Sequence, residues 1–171
     1  LSYPNSALCG VSIDAEQFQS IPTRSYDVKM AIVKVPVNYN QLSHNHVGFW
    51  NGSFKMEWTD NPAWCYYDMV TNTRYGLGDL IPHALTDKWE LYQIAKYCDE
   101  LVPDGYGGME RRFTMNAYFD TKSQALKMLN DMTSVFRSML YWSGESLVAV
   151  QDAPQDISYL FTESNVVDGK F

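Results

Sequence analysis

His44 and His46 stand two residues apart, a spacing that on a strand puts both imidazoles on one side, where they could hold a metal ion. No carboxylate or thiol lies beside them in sequence to complete a coordination shell, so a solvated loop is the expected setting and no metal is expected. His83, which follows Pro82, reads as a loop histidine. Paired carboxylates are a second chemistry, because one acid with one base or nucleophile hydrolyses glycosidic bonds. Glu57 and Asp60 beside Trp58, or Asp99 and Glu100, supply the residue types. Each has a plainer reading: Asp60 sits where a helix cap is due, and Asp99-Glu100 lie near a helix end in a solvated charge cluster. Serine nucleophile elbows, HExxH zinc motifs, P-loops and strand-GxGxxG-helix units do not occur. The glycine-rich stretch 104–108 precedes a strand rather than opening a helix, so it reads as a turn and not a phosphate cradle. No catalytic residue and no cofactor are therefore expected. Trp50, Trp58 and Trp142 are candidate surface aromatics that could stack on sugars; core or subunit packing is the alternative use of such rings.

Three helices and several strands must position these groups. Asp60 or Asn61 caps a helix with Pro62 at its first position, running to about residue 72 before Gly76 and Gly78. It is apolar or aromatic almost all round, with Trp64 and Cys65 among its residues, which predicts burial on most sides. A second helix, over about 87–101, opens on Asp87 with Glu90 three residues on and carries the stripe Leu91, Ile94, Ala95, Cys98, flanked by Trp89. The third follows Asp120-Thr121 and shows Ala125, Met128, Leu129, Met132 and Phe136 at helical spacing. Before it, Phe113, Met115, Ala117 and Phe119 alternate with polar residues as in a half-buried strand. After it, 139–142 and 146–151 form a hairpin through Ser143-Gly144-Glu145, and Ile157–Phe161 could add a strand. Residues 26–37 read as a strand whose apolar parity switches near Ile32-Val33, as a bulge would cause. The expected class is α+β, with antiparallel sheet elements, three helices and a β-α-β-β unit in the second half. Three segments are expected: strand-rich 1–50, to be completed by chain outside this sequence; helical 51–110; and β-α-β-β 111–171. The expected framework residues are Trp64, Cys65, Trp89, Cys98, Phe113, Met115, Phe119 and Leu129.

Composition narrows the function. The chain has 171 residues, with 13 Lys and Arg against 20 Asp and Glu, a formal charge of −7. Tight nucleic-acid binding needs a cationic surplus to displace counterions from phosphates, and none is present. The longest apolar stretches fall short of the ~20 residues that cross a bilayer. Cys9, Cys65 and Cys98 are odd in number and widely spaced, which predicts buried free thiols rather than a disulfide framework. The chain does not begin with Met and reads as a piece of something longer. Aromatic residues make up 15% of it, enough to support extensive ring packing.

Longer words in the sequence carry a resemblance. The run Trp58-Thr59-Asp60-Asn61-Pro62-Ala63-Trp64-Cys65, followed by Asp68-Met69 and Thr71-Asn72-Thr73-Arg74-Tyr75-Gly76-Leu77-Gly78, resembles the tip attachment (host specificity) protein J family of lambda-like phages. So do Asp87-Lys88-Trp89 with Leu91-Tyr92, residues 95–99, and Val102-Pro103-Asp104-Gly105 with Gly107-Gly108. The likeness extends upstream through 14–18, 24–26 and 33–36, and downstream through Asn116-Ala117-Tyr118, Val150-Gln151-Asp152 and Pro154. The chief departure from the family pattern is the loop Gln41–Val47, which carries no family wording. The resemblance implies a central portion of a larger virion protein, part of the trimeric hub closing the distal end of a long tail. Its implied partners are other tail-tip proteins and copies of itself, with receptor contact made elsewhere in the parent protein. It implies a place at the distal tail tip of the virion after synthesis in the host cytoplasm, and no enzymatic activity. A module binding bacterial-surface glycan is the alternative, and a cell-wall hydrolase a weaker one.

Overall fold

A computed structural model describes residues 6, 8–81, 85–119, 124–144, 146–154, 157–162 and 164–167. The chain divides into two compact units, Leu1–Met30 and Ala31–Phe171. In the described part of the first, the Asp14 carboxylate accepts from the Glu16 amide at 3.0 Å, and its carbonyl accepts from the amides of Gln17 and Phe18. This is an Asx turn, a local arrangement that needs no partner strand. No strand ladder forms among the described residues of this unit.

The second unit is α+β. β1 (Val33–Pro36) pairs antiparallel with β4 (Phe54–Glu57), and the short hairpin of β2 (Tyr39–Asn40) and β3 (Asn45–His46) lies between them in sequence. Then come α1 (Pro62–Thr71), α2 (Lys88–Asp99), the hairpin β5 (Leu101–Pro103) and β6 (Met109–Arg111), α3 (Ala125–Ser134), and the hairpin β7 (Ser138–Ser143) and β8 (Ser146–Gln151). Among the described residues every sheet has two strands. Two-stranded ribbons are marginal alone, so the helices must supply their stability.

α1 does so from the centre, packing on β1, α2 and α3. Asn61 caps it, its side chain accepting from the Ala63 amide at 3.0 Å, and Pro62 occupies the first turn, where a missing N–H costs nothing. At the other end the chain folds back tightly. The Leu77 amide donates to the Met69 carbonyl at 2.9 Å, and the amides of Gly76 and Gly78 both donate to the Asn72 carbonyl at 3.1 Å. A Cβ at Gly76 or Gly78 would collide with the α1 backbone, so this return requires glycine. α2 is capped by Asp87, whose carboxylate accepts from the amides of Trp89 and Glu90. α3 buries Leu129, Met132 and Thr133, and Phe136 beyond it meets Tyr66 of α1 with ring centroids 6.2 Å apart.

Several expectations change. The strand over 26–37 shrinks to β1: Val33 and Val35 are buried against α1, whereas Tyr26, Val28, Met30 and Ile32 are exposed. Residues 113–119 form no ladder, so the strand expected there is absent, and the strand that precedes α3, β7 and β8 is β6. Instead the Phe113 amide donates to the Cys98 carbonyl and the Met115 amide to the Asp60 carbonyl. These single bonds to a helix end and a loop use groups that a strand partner would need. Phe113 and Met115 consequently pack half-buried on the core, while Phe119 is 47% exposed and is not framework. Ile157–Phe161 is likewise no strand. Cys9 is exposed, against the expectation of burial; Cys98 is buried and Cys65 half-buried, both as free thiols. His83 and the Asp120-Thr121 start of the third helix lie outside the described residues. No helix among the described residues is long and apolar enough to cross a membrane.

Candidate functional site

Trp64, on the inward side of α1, has no solvent exposure. Rings from four other segments close around it: His46 of β3, Trp50, Phe54 of β4 and Tyr92 of α2 all lie with centroids 6.0–6.3 Å from its own. Two stacked pairs tighten the group, Trp50 on Tyr92 at 4.8 Å and Phe54 on Tyr67 at 4.7 Å. Lys88 lays its Nζ over this cluster, 5.8 Å from the Trp50 ring and 5.3 Å from the Trp89 ring, and donates to the Gly52 carbonyl at 2.9 Å. Offset and edge-on geometries are the favourable ones for aromatic rings, so the cluster gains beyond its area burial.

Trp50 is therefore a correction. Read as a candidate surface ring, it is 2% exposed, because the loop after Gly48 turns it inward and its Nε1 donates to the Ser53 carbonyl at 2.6 Å. Trp58 is half-buried and Trp142 exposed, so the three candidate rings form no common platform. Trp89, read as framework, keeps one side on Trp50 at 4.8 Å and is 50% exposed on the other.

A polar lock adjoins the rings. The residue at the hairpin tip, His44, adopts a left-handed backbone (φ 58°) and points its Nδ1 at three oxygens: Asp99 Oδ1 at 3.2 Å, the Tyr39 hydroxyl at 3.2 Å and Asp60 Oδ1 at 3.5 Å. The Tyr39 hydroxyl also meets Thr59 Oγ1 at 2.9 Å. Arg111 of β6 clamps the same hairpin, donating from Nη2 to the Ser43 carbonyl at 2.6 Å and from Nη1 to the Asp99 carbonyl at 2.7 Å. The loop that sequence reading assigned to solvent is thus tied to the end of α2. Asp99, assigned to a solvated cluster, is buried, and only Glu100 faces out, pairing with Arg112 at 2.7 Å.

The geometry argues for a lock rather than a relay. A nucleophile-histidine-carboxylate chain needs partners on both imidazole nitrogens, whereas here three oxygens converge on one. The other candidates disperse: His46 packs edge-on against Tyr92, and Glu57 pairs with Lys55 at 2.6 Å. Burial, reinforced by Lys96, holds the His46 imidazole down at about 4. Among the described residues no group of three or more His, Cys, Asp or Glu is arranged to hold a metal. Sequence reasoning missed the link between His44 and Asp99 because 55 residues separate them; no motif spacing signals it.

Burial pushes the Asp99 carboxyl up to about 6, against the opposing pull of Asn61, His44 and Arg111. The folded state therefore keeps a proton that an unfolded aspartate releases near pH ~4. The contribution of this group to stability is fully present below about pH 4 and is lost as pH rises to about 6. Denaturation midpoints of the wild type and Asp99→Asn, compared from about pH 4 to about pH 7, should show the wild type losing ground over that interval. A difference independent of pH would contradict this.

The fold and its site thus define an α+β module: an aromatic core whose covering hairpin is fastened by part-buried hydrogen bonds around His44 and Arg111. No protein-family model matches the chain. Along its whole length it is similar to tip attachment protein J of Escherichia phage SECphi27, 44% identical over 170 residues, which are 99% of this chain and 14% of that protein. Tip attachment protein J of Escherichia phage SECphi4 is 41% identical over 172 residues, covering 100% of this chain and 15% of that protein. The chain is a J-like tail-tip protein segment, and it spans about a seventh of the length of these relatives.

Proposed function

We propose that the chain is a structural and assembly module of a phage tail-tip hub, serving the distal tail structure used in host adsorption and DNA delivery. The observation that carries this reading is the similarity to tip attachment protein J over 99–100% of the chain. The core supports it: a module clamped by interlocked rings and a buried lock suits a part that must stay rigid through tail assembly. Its partners are other tail-tip proteins and further copies of itself in a trimeric hub, and receptor contact is made elsewhere in the parent protein. It acts without catalysis, at the distal tip of the virion, after synthesis in the host cytoplasm. The exposed Tyr26, Val28, Met30 and Ile32 are covered by parts of the hub outside these residues, so that the strand-rich segment 1–50 is completed there.

Immuno-electron microscopy of phage particles, with antibody to this chain, tests the proposal. Label at the tail end opposite the head is expected. Purified particles whose denatured proteins do not react with the antibody on a blot would show that the chain is not a virion component.

A further inference from the structure

We propose that the cleft between the start of α2 and the tip of the β7–β8 hairpin binds a neutral saccharide of one or two rings. It holds about 620 Å³, and its lining includes Asp87, Lys88, Trp89, Ser143 and Ser146. That volume falls in the range of small-ligand sites. All of these residues belong to the Ala31–Phe171 unit.

The lining matches the two-sided chemistry of a sugar. A pyranose has an apolar face of C–H groups and a rim of hydroxyls, so it is held by a flat ring beneath and by polar side chains around the edge. Trp89 provides the flat ring. Half of it is open, and the other side is fixed by Trp50 and by Gly52, where a Cβ would stand 3.3 Å from Trp89 ring carbons. A ring held in this way loses little freedom on stacking. Ser143 and Ser146, directly paired across the hairpin, supply two hydroxyls on one side. Asp87 supplies an acceptor on the other, and the nearby Lys88, whose Nζ is held on the Trp50 side by the Gly52 carbonyl, balances its charge, which favours a neutral ligand over an ionic one. Trp50, Trp58 and Trp142 do not line this cleft; Trp89, which does, was expected in the framework.

Isothermal titration of the full chain with chitobiose, maltose and lactose provides the test. Saturable, millimolar binding of at least one sugar is expected, weakened about tenfold by Trp89→Ala. Because Trp89 also contacts Trp50, the double substitution Ser143→Ala with Ser146→Ala gives a second arm that leaves the core untouched, and it too should weaken binding. Phe161→Ala, which removes an exposed ring outside the cleft, should leave it unchanged. The proposal is overturned if none of the three sugars binds saturably, or if binding persists undiminished in either the tryptophan or the double serine variant.

Discussion

Trp64→Ala is expected to destabilise the protein by roughly 3–5 kcal/mol, the cost of emptying a fully buried large aromatic site. The ring has no exposure, and its neighbours come from β3, the loop before β4, β4 itself, α1 and α2. Because these rings hold one another in edge-on, tilted and stacked contacts, they cannot slide together to fill the void, and the full cavity cost remains. Urea denaturation followed by circular dichroism would measure the loss. Trp64→Phe should cost much less: the indole Nε1 is buried with no hydrogen-bond partner among the described residues, so phenylalanine removes an unmet polar group along with the volume. Equal midpoints for wild type and Trp64→Ala would mean that this ring does not organise the core.

Asn61→Ala should cost about 2–4 kcal/mol, combining a lost helix cap with buried polar groups left unpaired. The Asn61 side chain is fully buried and works in two directions. Its Oδ1 caps α1 through the Ala63 amide, and its Nδ2 donates to the Ala95 carbonyl of α2 at 2.9 Å, so one side chain joins both helices. Asn61→Asp keeps the capping acceptor but loses the donor and buries a second carboxylate close to that of Asp99. It should therefore fail to rescue. Thermal unfolding of both variants decides the matter: an aspartate variant as stable as wild type would show that only the cap counts, and that the bond to α2 contributes nothing.

The parts of this architecture legible in sequence are those set by neighbouring residues. Asn61-Pro62 and Asp87 announce their helices because capping acts within one turn, and α1 and α2 begin where those signals place them. The β7–β8 hairpin was visible for the same reason, with a turn flanked by apolar runs. Alternation misled wherever a strand required a partner that the chain did not bring. Phe113–Phe119 has the pattern of a strand, yet its backbone groups bond to α2 and Asp60, and Phe119 is left exposed. The candidate site was less legible still. His44 was a loop residue by local pattern, and no spacing rule connects it to Asp60, Asp99 and Arg111.

By itself the sequence determined the α+β class, the starts of α1 and α2, an aromatic content high enough for extensive ring packing, and the likeness to tip attachment protein J. These follow from local steric and capping preferences and from long, chemically irregular strings. Tertiary structure alone decided that Trp50 turns inward while Trp89 stays half open, and that the histidine hairpin is fastened over the end of α2. Such outcomes depend on which distant segments compete for the same ring faces and hydrogen-bonding groups, and that competition is settled only when the helices pack.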